Sequence, residues 1–325
     1  MTEKQSMRDS LYDDTIGIAG VPTFFRAPYV PANPEELKKN KINVGIVGVP
    51  FEGGCTGRPG SSYAPHAIRT AMWQFSNYLY ELDIDLSKTY NIADCGDVPV
   101  NPVNLQKTHR MIADYMKNIY SAEALPIMIG GDHSVSTGGI KFLSEVTDGP
   151  IGLMVLDAHL DTAESVGGEE DSGASFEASV IRNISNLEAK NVAIVGPRGA
   201  TCPRSRWEYC EKMGVTVISM SQVVKMGVDV ATKKALEVVQ NGTNSFYVSY
   251  DIDAIDPAYA PGTGAPEPGG FTSREILHAA KIIGKAKPSA FDIVELSMTY
   301  DPSGITASLA TYIIYFMLAA RTINN

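Results

Sequence analysis

The sequence has few cysteines and no long apolar run. Its four cysteines include no CxxC pair, and Cys202 and Cys210 lie too far apart for the usual spacing of zinc ligands. We therefore expect reduced thiols in a cytoplasmic protein. The first ten residues lack the apolar stretch that a signal peptide requires. The apolar run Ile313–Ala320 is too short to cross a bilayer, so no membrane partner is expected and a buried C-terminal helix is predicted.

Basic residues are also in short supply. The chain carries 27 Lys and Arg against 37 Asp and Glu, which gives a formal net charge of −10. This balance argues against nucleic acid as a partner and is compatible with a small cationic substrate, although many cytosolic proteins are as acidic. A serine nucleophile elbow, a P-loop and a phosphate-cradling glycine fingerprint are all missing from the sequence, so those reaction classes are not indicated.

Short β-branched runs alternate with helical patterns after a polar, proline-rich start. We expect residues 1–40 to be an irregular segment that packs on a single domain of residues 41–325. Runs such as Leu125–Ile129 and Ile151–Leu156 are typical of buried strands, and a helix is predicted from Pro65 to about Tyr80. Such alternation predicts an α/β fold with a mostly parallel sheet covered by helices on both faces.

Three clusters of acids and histidines closely follow predicted strands. They are Gly130-Gly131-Asp132-His133-Ser134, Asp157-Ala158-His159-Leu160-Asp161 and Asp251-Ile252-Asp253-Ala254-Ile255-Asp256. Strand ends of an open α/β sheet face one crevice, so these side chains are expected to meet there. In an extended segment, alternate side chains project to the same side, which would align Asp157, His159 and Asp161. Each cluster alone could be a helix cap or a solvated turn, but three together favour a shared site.

The donor types at these strand ends predict a metal centre. Two like charges at a strand end repel each other unless a cation compensates them. Carboxylates and imidazoles without thiolates suit Mn²⁺, with Ni²⁺ as the alternative, better than a structural zinc ion. Two such ions would lower the pKa of a shared water far enough to make it a nucleophile at neutral pH. Hydrolysis is therefore the reaction class that the residues indicate.

These motifs resemble the ureohydrolases, a family that includes arginases, agmatinases and related guanidino-compound amidinohydrolases. The likeness covers the chain from about Gly20 to about Arg321, and the N-terminal Gly-Val-Pro-Thr-Phe-Phe-Arg at 20–26 is similar to the agmatinase branch. It also rests on the three clusters and on four further segments: 48–52, 58–60, 260–270 and 292–302. The resemblance implies a three-layer α/β/α fold of the arginase type, with two Mn²⁺ ions.

The resemblance also implies roles for individual residues. One ion would be held by His133, Asp157, Asp161 and Asp251, and the other by His159, Asp157, Asp251 and Asp253. Asp157 and Asp251 would bridge the two ions, and Asp161 would also be catalytic by orienting the water. Glu295 would be a catalytic and substrate-binding carboxylate that pairs with the guanidinium, a match that a planar cation favours.

The loop after the second cluster departs from the family pattern. Ser172 stands where the family has a histidine that is thought to pass a proton to the leaving amine, and a hydroxyl cannot act as a near-neutral acid. We expect Ser172 to lie in the substrate site, with another group or water delivering the proton. The pocket near Ser61–Ala64 also differs from the family pattern. The loop is unusually acidic, and we expect Glu164, Glu169, Glu170 and Asp171 to be solvated.

The predicted activity is release of urea from a small guanidino compound, which leaves an amine. Agmatine is the default substrate by resemblance, while guanidino acids and a small guanidine compete with it because of the changed loop. The alternative is a non-catalytic metal-binding homologue that acts as a partner subunit or regulator. The resemblance further implies a homo-oligomer, either a trimer or a hexamer.

Overall fold

A computed structural model describes residues 20–323 of the protein. The strands are β1 (Val44–Gly48), β2 (Tyr78–Leu79), β3 (Ile84–Asp85), β4 (Ile92–Asp97), β5 (Leu125–Ile129), β6 (Ile151–Leu156), β7 (Leu187–Val195), β8 (Thr216–Ile218), β9 (Ser245–Asp251) and β10 (Ala290–Val294). Eight of them form one sheet in the order β4-β1-β5-β10-β9-β6-β7-β8, and each neighbouring pair is parallel. β2 and β3 pair antiparallel outside this sheet.

Helices connect the strands. They are α1 (Pro34–Lys39), α2 (Ala64–Ala71), α3 (Leu86–Thr89), α4 (Leu105–Ser121), α5 (Ser136–Val146), α6 (Phe176–Asn183), α7 (Arg204–Met213), α8 (Met220–Met226), α9 (Val228–Val239), α10 (Ser273–Lys285) and α11 (Ile305–Arg321). Within residues 20–323, the structure has no helix with both the length and the apolar character needed to cross a membrane.

The two faces of the sheet carry separate apolar cores. One core packs α2, α8, α9, α10 and α11 against the sheet, and the other packs α1, α4, α5, α6 and α7 against the opposite face. Side chains of a strand alternate between the two, so that Val248 and Tyr250 enter the first core and Tyr247 enters the second. The three-layer α/β/α fold is therefore confirmed.

Two local predictions need correction. The helix predicted over Pro65 to about Tyr80 ends at Ala71 and is followed by a short 3₁₀ turn and the strand β2. The backbone N–H of Leu86 donates to the carbonyl of Asn77, so this stretch turns back to form a small ribbon. Within the segment predicted as irregular, Pro34–Lys39 is a helix, because Asn33 caps its first N–H groups. Residues 1–19 of that segment lie outside the described residues.

Candidate metal centre and substrate carboxylate

The four central strands of the sheet bring the three clusters together. β5, β10, β9 and β6 are consecutive neighbours, and a cluster follows β5, β6 and β9, while Glu295 follows β10. Because these strands are parallel, their carboxyl ends meet at one edge of the sheet. The order of the strands therefore brings the three clusters together at one crevice, as expected.

In the second and third clusters, the first aspartate accepts a backbone hydrogen bond that makes a tight turn. The backbone N–H of His159 donates to Asp157 Oδ1 at 2.7 Å, and that of Asp253 donates to Asp251 Oδ1 at 2.8 Å. A carboxylate that binds the N–H two residues on forms an Asx turn. The extended geometry predicted for the Asp157 cluster is therefore wrong, and the turn is what directs the second side chain back into the crevice.

The ring nitrogen Nδ1 of His133 lies among three carboxylates. It is 3.1 Å from Asp157 Oδ2, and 3.2 Å from an oxygen of both Asp161 and Asp251. All four side chains are buried. One nitrogen carries at most one proton, so it cannot satisfy three acceptors at once.

His159 forms a second group that shares Asp157 with the first. Its Nδ1 lies 3.1 Å from Asp253 Oδ2 and 3.4 Å from Asp157 Oδ1. His133, Asp157 and Asp161 offer ligand atoms within 4.8 Å of one another, and so do Asp157, His159 and Asp253. The structure thus brings together the six side chains that the sequence predicts as metal ligands.

The charges at the crevice are mutually dependent. Burial opposes charging of His159, but the carboxylates of Asp253 and Asp157 outweigh it and raise its pKa. Burial and then the neighbouring acids raise the pKa of Asp251 well above its usual range. Burial acts in the same direction on Asp157, but the imidazoles of His133 and His159 outweigh it and lower its pKa. Such concentrated, strongly perturbed groups are typical of functional sites.

The chemistry of this cluster fits bound cations. Asp157 Oδ2 and His133 Nδ1 are buried and lie 3.1 Å apart, yet neither makes a hydrogen bond of good geometry, although buried polar atoms are nearly always hydrogen-bonded. A divalent ion would satisfy them and would offset the repulsion among the four acids. The donors are carboxylate oxygens and imidazole nitrogens, a set suited to Mn²⁺ or Ni²⁺.

Glu295 enters the same crevice from the end of β10. Its backbone N–H donates to the carbonyl of Gly131 at 2.8 Å, and its Oε1 accepts from the N–H of His133 at 2.7 Å. Its φ of +62° is uncommon for a residue other than glycine, and such strained residues cluster at functional sites. Burial, and then the charge of Asp132, raise the pKa of Glu295 to about 8.

Ser172 is held inside its loop. Its side chain is 3% exposed, and its Oγ lies 2.7 Å from Ser175 Oγ. The next residue, Gly173, donates its N–H to the carbonyl of Gly54 at 2.9 Å, which ties this loop to the one that follows β1. Contact of Ser172 with a substrate therefore stays a prediction. Of the loop acids, Glu164, Glu169 and Glu170 are exposed, as expected. Asp171 is instead half-buried and accepts a hydrogen bond from Ser179 Oγ.

The three histidines outside the clusters differ in their exposure. His66 lies in the first turn of α2 and is exposed, and His278 is exposed near Asp229. His109 is buried in α4, and its Nε2 has no hydrogen-bond partner. It is thus a core histidine, but a core histidine whose hydrogen bonding is incomplete.

Other residues at the crevice were not predicted. Phe176 stacks on the ring of His133, with 4.6 Å between centroids. Arg206 donates to the carbonyls of Leu160 and Ala174, both at 2.9 Å, and its Nη1 lies 3.7 Å from Asp161 Oδ1. Arg206 thereby fastens the loop of Ser172 to the end of the second cluster. Arginines that bind carbonyls leave no periodic signal in a sequence.

Comparison with known proteins identifies the family. Residues 42–319 match the model of the Arginase family. The chain is 33% identical to the proclavaminate amidinohydrolase of Streptomyces clavuligerus over 300 residues, which is 91% of each chain. The solved structure of that enzyme covers 94% of this chain and 98% of its own, with a TM-score of 0.85.

Two further relatives lie at a similar distance. The chain is 33% identical to the mitochondrial guanidino acid hydrolase of Homo sapiens, over 93% of this chain and 83% of that protein. It is 31% identical to the mitochondrial agmatinase of Gallus gallus, over 88% of this chain and 83% of that protein. With these matches and a family model that spans most of its length, the chain belongs to the Arginase family.

Proposed function

We propose that this hydrolase of linear amidines uses two divalent cations to release urea from a small guanidino compound. The observation that carries the proposal is the meeting of His133 and His159 with four carboxylates at one sheet edge, beside Glu295. When bound there, the cations would supply a water acidic enough to lose a proton near neutral pH. His133, Asp161 and the shared Asp157 and Asp251 would hold one cation. His159 and Asp253, with the same shared pair, would hold the other.

Glu295 is the residue proposed to bind the substrate. A guanidinium is planar and cationic, and a carboxylate can accept two parallel hydrogen bonds from it. The fixed contact of Oε1 with the backbone of His133 sets the position of this carboxylate relative to the metal ligands. A guanidinium paired with Glu295 would therefore have its central carbon held close to the metal-ligand cluster.

Asp161 is the residue proposed to hold the nucleophilic water. Its carboxylate lies beside Nδ1 of His133 and is steadied from the other side by Arg206. An acceptor in this place would orient the water and take up its proton. The Ser172 hydroxyl is paired with Ser175 and is far too weak an acid for the leaving amine, so solvent is proposed as the final proton donor.

The substrate is proposed to be a guanidino acid or agmatine. The names of the relatives divide between these classes, since one is a guanidino acid hydrolase and another an agmatinase. The test is urea release from agmatine, 3-guanidinopropionate, 4-guanidinobutyrate and guanidine, with protein loaded with Mn²⁺ or Ni²⁺. One of these is expected to be preferred at least tenfold, and Asp161→Asn serves as the inactive control.

Two results would overturn parts of the proposal. If two metals bind but no guanidino compound releases urea, the non-catalytic alternative is favoured. If urea is released by chelated, metal-free protein, the role of the cations is wrong.

A further inference from the structure

A row of buried polar side chains lies behind His133, on the side away from the other ligands. His133 Nε2 is 3.1 Å from Ser249 Oγ. Ser249 donates to Asp292 Oδ1 at 2.7 Å, and the hydroxyl of Tyr247 donates to Asp292 Oδ2 at 2.9 Å. None of these four side chains is more than 1% exposed. Polar groups are costly to bury, so a fully connected row of them calls for a functional reason.

The sheet places this row by strand alternation and register. Tyr247 and Ser249 lie on the same face of β9 as the metal-ligand candidate Asp251, because side chains two apart share a face. Asp292 on β10 is the direct neighbour of Ser249 in the parallel pair. The row thus continues from the ligand cluster into the layer below it.

The hydrogen bonds of the row indicate which ring nitrogen of His133 carries a proton. A serine hydroxyl has one proton, and Ser249 gives it to Asp292. Ser249 Oγ therefore acts as the acceptor towards His133 Nε2, and Ser136 Oγ also lies 3.2 Å from it. A neutral His133 that carries its proton on Nε2 has its lone pair on Nδ1. That is the atom which faces the carboxylates of the cluster.

We infer that Ser249 and Asp292 are positioning residues, which hold His133 in the tautomer and orientation that present Nδ1 to a cation. Tyr247 holds Asp292 in place by donating a hydrogen bond to its Oδ2. This inference rests on the proposed metal centre. It assigns these residues an effect on metal affinity that the ligand set alone does not predict. Outer-shell partners of ligating histidines commonly change metal affinity by about 10- to 100-fold.

The test is calorimetric titration of metal-free protein with Mn²⁺, which measures binding without any turnover. Ser249→Ala and Asp292→Asn are each expected to weaken one of two binding events by about 10- to 100-fold, while the other changes little. Because both act through the same ring nitrogen, the double variant should be little worse than Ser249→Ala. Tyr250→Phe is the matched control, since it removes a buried hydroxyl from the opposite face of β9 and should leave both affinities unchanged.

The possible results separate this inference from the metal centre itself. Wild-type protein that binds two Mn²⁺ ions, with Ser249→Ala binding both equally well, would overturn the positioning role alone. Effects of the two variants that add in full would also overturn it, because independent damage to the fold would then explain them. Wild-type protein that binds no Mn²⁺ or Ni²⁺ would overturn the proposed centre and this inference together. Thermal melts of the metal-free variants check that each is folded.

Discussion

At the scale of single residues, Asp161 offers the most direct test of catalysis. Asn has the same size and keeps one acceptor oxygen, but it has no negative charge for the proposed water. We expect Asp161→Asn to lower kcat by roughly 100-fold or more, since general-base contributions are typically of this size. The thermal midpoint of the metal-free protein should not fall much, because the substitution removes one of several negative charges that repel each other. Near-normal urea release would refute the role of Asp161.

The role of Glu295 in substrate binding can be tested by measuring KM and kcat separately for a Glu295 variant. Glu295→Gln keeps the shape of the side chain and removes the charge that would pair with a guanidinium. A hydrogen bond to a charged group contributes about 1.5–3 kcal/mol, so KM should rise by roughly 10- to 100-fold. Glu169→Gln is the control, because it removes an exposed acid from the nearby loop. An unchanged KM for Glu295→Gln, or an equal rise for both variants, would remove Glu295 from the substrate site.

His109 predicts a pH dependence of folding stability. Burial is the main reason that its pKa falls to about 4 from the usual 6.5. The unfolded chain therefore binds a proton at a higher pH than the folded chain does. Stability from this residue is present above pH 6.5 and is lost as the pH falls towards 4.

Chemical denaturation of metal-free protein between pH 7 and 5 checks this dependence. His109→Gln has no titrating group, so its stability should fall less steeply with pH than that of the wild type. The difference in slope should approach about 1.4 kcal/mol per pH unit below pH 6.5. Parallel profiles for the two proteins would contradict the assignment.

At the scale of elements, the third cluster both supplies candidate metal ligands and, through Asp256, holds a loop in place. Its Oδ2 accepts from the N–H groups of Gly269 and Gly270, and its Oδ1 accepts from that of Ala258. It therefore closes the long loop of residues 256–270 and is not grouped with the ligand atoms. Arg198 holds the same loop by donating to the carbonyls of Glu267 and Asp253.

Removing the Asp256 side chain should loosen this loop. Asp256→Ala removes the acceptor of three N–H groups that water can reach, and we expect a loss of about 0.5–1.5 kcal/mol in the free energy of unfolding. Asp256→Asn keeps one acceptor oxygen and should lose less. Denaturant titrations of the three proteins give the comparison, and equal stability of the Ala variant and the wild type would show that the loop is held without Asp256.

The elements that could be predicted from sequence are those whose pattern is decided by burial. β5 and β6 match their predicted limits, since both are continuous apolar runs ended by a polar turn. The Thr-x-x-Glu pattern of Thr272 and Glu275 is also readable from the sequence, and it forms the capping box that begins α10. The C-terminal helix is longer than predicted, from Ile305 to Arg321, because it is buried on most sides and shows little periodicity.

The residues of the candidate site can likewise be divided into those that the sequence predicts and those that it does not. Ligand candidates at strand ends were predictable because they break an apolar run with charge. Ser249 and Asp292 were not assigned a role, since one polar residue within a strand looks like ordinary sequence variation. Polar residues at 247, 249 and 251 do alternate along β9, and that alternation is the signal which could have revealed the row.

At the scale of the whole molecule, the proposed cations would join three of the four central strands. Their ligands come from the ends of β5, β6 and β9, with Glu295 of β10 beside them, and the two apolar cores lie on either face of these strands. A cation that binds the folded chain and not the unfolded one stabilises the fold by mass action. Without it, the buried acids of one crevice would repel each other.

Metal removal should therefore lower both activity and thermal stability. Chelated protein should release no urea. Adding Mn²⁺ should restore turnover and raise the thermal midpoint as its concentration increases. At 100 times the Kd, binding at one site adds about 2.7 kcal/mol to the free energy of unfolding. Asp157→Asn should lose most of this rise, because Asp157 is shared by both ligand groups. A midpoint that does not respond to Mn²⁺ or Ni²⁺ in the wild type would mean that His133 and the acids around it are held together by their own ion pairs and not by metal.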